Sequence, residues 1–173
     1  LNNKAIALKN LERFDEAINC LSKSIEIKLA LEQTADLCNS YFNLSDTLIV
    51  SGRYEEAPAV LKLAEPLVEE IDDPAKTAEF NLLKIDYYIG TKCYEKALVK
   101  LDAYIDYQKE SGFMSKIPKA IRKKITILEE LGEGRLALEL YKELDLLSQK
   151  LYKESSSAKA AELGASFRFQ QKM

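Results

Sequence analysis

The 173-residue sequence contains no histidine. Imidazole acid–base chemistry, Ser-His and Cys-His nucleophiles and histidine metal ligands are therefore excluded. Six glycines and four prolines are too few for a loop-rich or disordered chain. No apolar run approaches the roughly 18 residues that a membrane span needs. There is no Gly-rich phosphate loop, since Gly132-Glu133-Gly134 reads as a turn. Carboxylates are plentiful, but none forms a pair set apart from ordinary helix-surface spacing. The expectation is a chain that is not an enzyme and has no cofactor and no metal site. Cysteine is scarce: Cys20, Cys38 and Cys93 are odd in number and widely spaced. They read as free thiols that serve as small core residues, which tilts localisation to the cytoplasm, with a periplasmic sensor region as the alternative. The first residue is Leu1 and no signal segment is visible. The chain is read as a fragment that starts inside a structural element.

What remains is an ordinary globular composition, 47% hydrophobic and 31% charged. A chain of this length buries about 70% of its unfolded surface, enough for a sizeable core. Twenty-five basic residues against 28 acidic leave a net charge of −3. That balance argues against a nucleic-acid partner, whose binding rests on neutralising phosphates.

An internal repeat dominates the chain. Arg13-Phe14-Asp15-Glu16-Ala17 returns as Arg53-Tyr54-Glu55-Glu56-Ala57 and as Cys93-Tyr94-Glu95-Lys96-Ala97. A degenerate fourth copy is Glu133-Gly134-Arg135-Leu136-Ala137. The four alanines stand 40 residues apart. Other columns keep that period: Leu8, Leu48, Tyr88 and Leu128 upstream, then Ile18, Pro58, Leu98 and Leu138, then Leu21, Leu61, Leu101 and Tyr141.

Each copy reads as two helices around a short polar break. In the second copy Tyr41, Leu44 and Leu48 form one stripe, and Ala57, Leu61, Ala64 and Val68 form the other. Gly52 between them supplies the positive φ that favours a helix C-terminus. The alanine leaves room for a close helix crossing, and the aromatic before it can wedge into a neighbouring helix. Pro74 and Pro118 are placed to begin helices, Pro58 is early enough to be tolerated, and Pro66 should bend its helix. Such a pair cannot bury both apolar faces alone and must stack on the next.

The pattern aromatic-x-Glu-Ala, with leucine upstream and Leu/Tyr downstream, resembles the tetratricopeptide repeat. The resemblance covers residues 1–153 and implies an all-α fold, a right-handed α-solenoid of antiparallel helix pairs. The expected copies are about 1–33 (truncated at its start), 34–73, 74–112 and 113–153, followed by a C-terminal capping or connecting helix over 154–173. The departures are the 40-residue period, against about 34 in the family, and the missing terminal proline. Ile85 and Ile125 also stand where Ala5 and Ser45 are small. These point to a long-helix branch seen in bacterial regulators.

In that family the first helices line a concave face. Here that face offers Asn3, Asn43, Asp46, Asp86, Lys119, Arg122 and Lys123, with Asn2 beside them. Lys116, Lys119, Arg122, Lys123 and Lys124 would make a basic wall, and Glu65, Glu69, Glu70, Asp72 and Asp73 an acidic stretch. The donors suit an acidic peptide tail or a carboxylate; two solvated helix faces are the plain alternative. The family's carboxylate clamp is not matched. Asn43 fits its asparagine, but Glu79 and Leu83 replace its basic residues. Tyr87 and Tyr88 are read as inter-helix packing.

After Tyr152 the period stops. Ser155-Ser156-Ser157 is read as a break or cap before a further helix from Ala158. Ala161-Glu162-Leu163 with Phe167, Phe169 and Gln170-Gln171-Lys172 resembles the segment that joins such repeats to a diguanylate cyclase (GGDEF) or histidine kinase domain in bacterial signalling proteins. The expected function is a sensory module that binds a protein or peptide partner, with homodimerisation through the C-terminal helix. A stand-alone assembly scaffold and a small-molecule-binding regulator are the alternatives.

Overall fold

The 40-residue pattern appears in three dimensions as a repeated turn. A computed structural model describes the backbone of residues 1–170 and the side chains of residues 1–157. Helices α1 (Asn2–Asn10) and α2 (Phe14–Ala30) form the first pair, and α3 (Thr34–Val50) and α4 (Ala57–Ile71) the second. Then come α5 (Pro74–Gly90), α6 (Tyr94–Glu110), a 3-10 turn at Met114–Lys116, α7 (Ile117–Glu130) and α8 (Gly134–Gln170). Among the described residues the structure is all-helical, the fold class expected of helix pairs in tandem. The chain divides within α6 into two compact units, Leu1–Lys100 and Leu101–Met173.

Every turn inside a pair closes the same way. The N–H groups of Arg13, Arg53, Cys93 and Glu133 donate to the carbonyls of Leu8, Leu48, Tyr88 and Leu128 at 2.8–2.9 Å. The residue before each donor is left-handed: Glu12, Gly52, Lys92 and Gly132, with φ between 57° and 76°. This bond satisfies a carbonyl that the helix end would otherwise orphan. Only two of the four left-handed positions are glycine, so glycine alone does not mark the column. The turns between pairs also carry a left-handed residue, at Glu32, Asp72 and Gly112, and the N–H groups of Gln33 and Phe113 close two of them on the carbonyls of Lys28 and Gln108.

The alanine column is buried in all four copies: Ala17, Ala57 and Ala97 have no exposure and Ala137 has 2%. Leu21, Leu61 and Leu101 beside it are buried as well. Each such leucine removed from water contributes about 2 kcal/mol. In the first unit Ala17, Leu21, Ala57 and Leu61 merge with Leu8, Tyr41, Leu48, Val68 and Leu83 in one continuous core. Phe42 and Phe80 stack there across α3 and α5, with centroids 5.7 Å apart and planes 8° from parallel.

The prolines follow local rules. Asp73 caps α5, its carboxylate accepting from the Ala75 N–H at 2.9 Å, and Pro74 opens that helix. Pro118 lies in the first turn of α7. Pro58 cannot donate to the Tyr54 carbonyl, and α4 is regular only from Ala57, whereas α2 and α6 begin at the aromatic. Helix α4 continues through Pro66, which lies on its exposed side.

In the second unit α7 packs against α8, and Ile117, Ile121, Ile125 and Leu128 of α7 are buried with Ala137 and Leu144 of α8. Helix α8 runs unbroken through Ser155–Ser157, so that triplet neither breaks nor caps it. Serine costs little inside an exposed helix. The side chains of Ala161-Glu162-Leu163, Phe167, Phe169 and Gln170, and all of Gln171-Lys172, lie outside the described residues.

Candidate functional site

Adjacent first helices in the first unit are knit by polar pairs. Lys9 of α1 pairs with Asp46 of α3. Lys76 of α5 donates to Asn39 of α3 at 2.6 Å. Each partner lies 37 residues from the other, one repeat on and about one turn back. Between α1 and α3 the Ser40 hydroxyl also donates to the Asn2 side-chain amide oxygen and accepts from Lys28.

The sequence-derived residues fall on this frame as follows. Asn43 and Asp46 lie half-buried, nearly one turn apart, on α3. Asn3 is exposed on α1 and Asp86 is half-buried on α5. Asp46 is engaged by Lys9, a partner that reading along one helix does not reveal. Lys119, Arg122 and Lys123 lie on α7, in the second unit, the first two exposed and the third half-buried. Lys124 is held by Asp102 at 2.6 Å, which removes one cation from the basic wall.

The acidic stretch is largely occupied within the first unit. Glu65 accepts from Lys84 at 2.5 Å. That hydrogen bond and the charge of Lys84 hold the Glu65 carboxyl below the usual range, with Lys100 adding to the effect. Glu70 accepts from Thr34, and Asp73 is the α5 cap. The clamp positions are also occupied: Leu83 is buried, and Glu79 pairs with Lys76 at 3.0 Å.

Two open grooves flank α5. One, of about 400 Å³, is walled by Glu69 of α4, by Asp72 just past its end, and by Thr77 and Asn81 of α5. The other, of about 240 Å³, brings Lys62 of α4, Lys84, Tyr87 and Tyr88 of α5, and Lys100 of α6 together. The lysines of this second groove were not singled out from sequence, because each lies on a different helix. Tyr87 packs against the core of the first unit, as its packing reading expects, and both Tyr87 and Tyr88 are half-exposed and line the groove.

The thiols divide by burial. Cys38 is fully buried, and burial pushes its pKa up while Lys76 opposes this. Cys20 is half-buried and Cys93 is exposed. The core-residue reading therefore holds for Cys38, in part for Cys20, and not for Cys93. Cys93 occupies the arginine position of its turn, which faces solvent. Among the described residues no three Cys, Asp or Glu side chains cluster as metal ligands. No described helix is long and apolar enough to cross a membrane.

A tetratricopeptide repeat family model matches residues 1–30. That span is α1 and α2, the first pair, whose turn and alanine recur in the later three. The tetratricopeptide-repeat-like architecture also appears in the crystal structure of aspartyl phosphate phosphatase F from Bacillus subtilis. The two align with a TM-score of 0.73 at 17% sequence identity, over 86% of this chain. This chain spans 39% of that protein's length. At that identity the likeness is one of fold. No curated protein matches the sequence.

Proposed function

We propose that this chain is a non-catalytic module that binds a protein or peptide partner and regulates a signalling protein. The observation that carries this reading is the repeat itself. Helix pairs recur in one register, and first helices α1, α3 and α5 set polar side chains side by side. Such arrays bind through extended surfaces built by neighbouring repeats. In this reading Asn3, Asn43, Asp46 and Asp86 supply polar contacts, and Lys119, Arg122 and Lys123 attract an acidic segment of the partner.

The finer reading is a bacterial signalling protein with a GGDEF diguanylate cyclase or histidine kinase as its output. It draws on the resemblance of the tail and on the unbroken α8. A continuous helix transmits a change of register to whatever follows it, and two such helices can pair as a homodimer. Partner binding would shift the array only by its differential affinity for two arrangements of the helix pairs. The protein that shares this fold, aspartyl phosphate phosphatase F, is by its name one that acts on aspartyl phosphate. A cytoplasmic location follows from the same reading.

The test is affinity. A partner identified by crosslinking is purified and titrated against the parent chain and against Lys119→Glu with Arg122→Glu. The expected result is at least tenfold weaker binding by the variant. Unchanged affinity would overturn the basic-wall reading. A chain that stays monomeric, with α8 protected from protease, would favour the scaffold instead.

A further inference from the structure

The groove between α4, α5 and α6 is built from the places where the third copy and its neighbour depart from the repeat. The column of Leu8, Leu48 and Leu128 is buried in those copies. Its third member is Tyr88, half-exposed at the groove. The column of Cys20, Val60 and Leu140 becomes Lys100. The column of Ile18, Leu98 and Leu138 becomes Pro58, also on the groove wall. Packing explains the repeated residues; it does not explain three departures that converge on one surface. Departures from local consistency are where function is expected.

The chemistry of the lining is specific. Lys62, Lys84 and Lys100 come from three helices and meet one carboxylate, Glu65, which is already bonded to Lys84. This excess of cations stands in a chain whose net charge is −3. Leu61 and Pro58 give an apolar lining, and the Tyr87 and Tyr88 rings, tilted at 59° to each other, stand beside it. Lys96 adds a fourth ammonium, 5.8 Å over the Tyr88 ring. The volume, about 240 Å³, is below the ~300–1,000 Å³ of small-molecule and cofactor pockets. It suits one side chain rather than a cofactor.

We infer that this groove is a docking site for an oxyanion, a carboxylate or phosphoryl group carried on a partner's side chain. The lysine ammoniums supply charge-assisted hydrogen bonds, and the tyrosine rings pack the neighbouring part of the partner. The site is separate from the polar first-helix face. Lys84 is two residues from Asp86, which places it about 200° away around α5. A partner held on the first-helix face leaves this groove open, so the two surfaces can be occupied together.

The test uses the full 173-residue chain with labelled tyrosine rings. Three probes are titrated: the tetrapeptide Ala-phosphoserine-Tyr-Ala, its glutamate counterpart, and inorganic phosphate alone. The expected result is a saturable shift of the Tyr87 and Tyr88 ring signals with at least one peptide. Which peptide binds more tightly identifies the oxyanion as phosphoryl or carboxylate. Lys62→Ser with Lys100→Ser should weaken binding at least tenfold. Tyr88→Leu restores the residue of the other three copies, so it keeps the fold and should also weaken binding. Lys119→Glu with Arg122→Glu should leave this binding unchanged, which separates the site from the proposed basic wall. A shift with inorganic phosphate but neither peptide would overturn the partner-borne oxyanion. So would no shift, or a shift that survives the double lysine variant in a chain that melts like the parent.

Discussion

The ring of Tyr54, in the turn three residues before α4, lies against the backbone of Gly90, at the end of α5. A methyl at Gly90 would come within 2.6 Å of the ring's Cζ and 2.7 Å of its hydroxyl. The aromatic before the alanine thus wedges against the next pair, and a residue without a Cβ makes room for it.

Gly90→Ala should therefore destabilise the parent chain by about 1–2 kcal/mol, because the Tyr54 ring must leave its half-buried place. In a Tyr54→Ala background the sign should reverse. Alanine is better than glycine inside a helix by up to about 1 kcal/mol. Denaturant midpoints for the four members of the cycle measure this. An unchanged cost for Gly90→Ala without the ring would show that the ring is not the obstacle.

The left-handed turn residues give a second prediction. Lys92 has φ 58°, a conformation that costs a side chain about 1–2 kcal/mol. Lys92→Gly should raise stability by roughly 0.5–1 kcal/mol, since glycine also frees the unfolded chain. Gly52→Ala, at φ 76° with open space around its Cα, should lower it by about 1 kcal/mol from backbone strain alone. Thermal melts resolve both, at about 2–4 °C per kcal/mol for a chain of this size.

Thiol reagents should separate the three cysteines. Cys93, exposed, reacts first, Cys20 follows, and Cys38 stays protected. Burial also raises the Cys38 pKa, so little of it is thiolate at neutral pH, which adds to its protection. Mass spectrometry of labelled peptides reads the order. Native-state labelling of Cys38 as fast as Cys93 would contradict its burial.

The Glu65 carboxyl should titrate below an ordinary glutamate. Lys84 holds it there by a hydrogen bond and by charge. A depressed folded-state pKa stabilises the fold above the unfolded glutamate value, and this contribution is lost as pH falls through the depressed one. The gain is small because half of the Glu65 side chain faces solvent. Lys84→Met should return the Glu65 midpoint towards the ordinary range in a carboxyl-detected pH titration. An unmoved midpoint would assign the shift to another neighbour.

Tyr141 shows how far a repeat column can mislead. It continues the series Leu21, Leu61 and Leu101, all buried, yet it is 48% exposed and donates to Glu129 at 3.1 Å. The column keeps its register while the burial changes, because burial depends on what packs against a face. Likewise the run Ser155–Ser157 looked like a stop, but α8 passes through it. Weak local preferences do not end a helix that lacks a glycine or proline stop.

By itself the sequence determined the period, the alanine column and the proline-marked helix starts. These are local: apolar spacing sets which face is buried, and φ restrictions set where helices begin and end. Only the tertiary structure decided that Lys9 holds Asp46, that Lys76 holds Asn39, that Tyr54 needs Gly90, and that Lys62, Lys84 and Lys100 meet in one groove. Each of those joins residues on different helices. The stagger between neighbouring helices selects the partners, and the periodicity within one helix carries no record of that stagger.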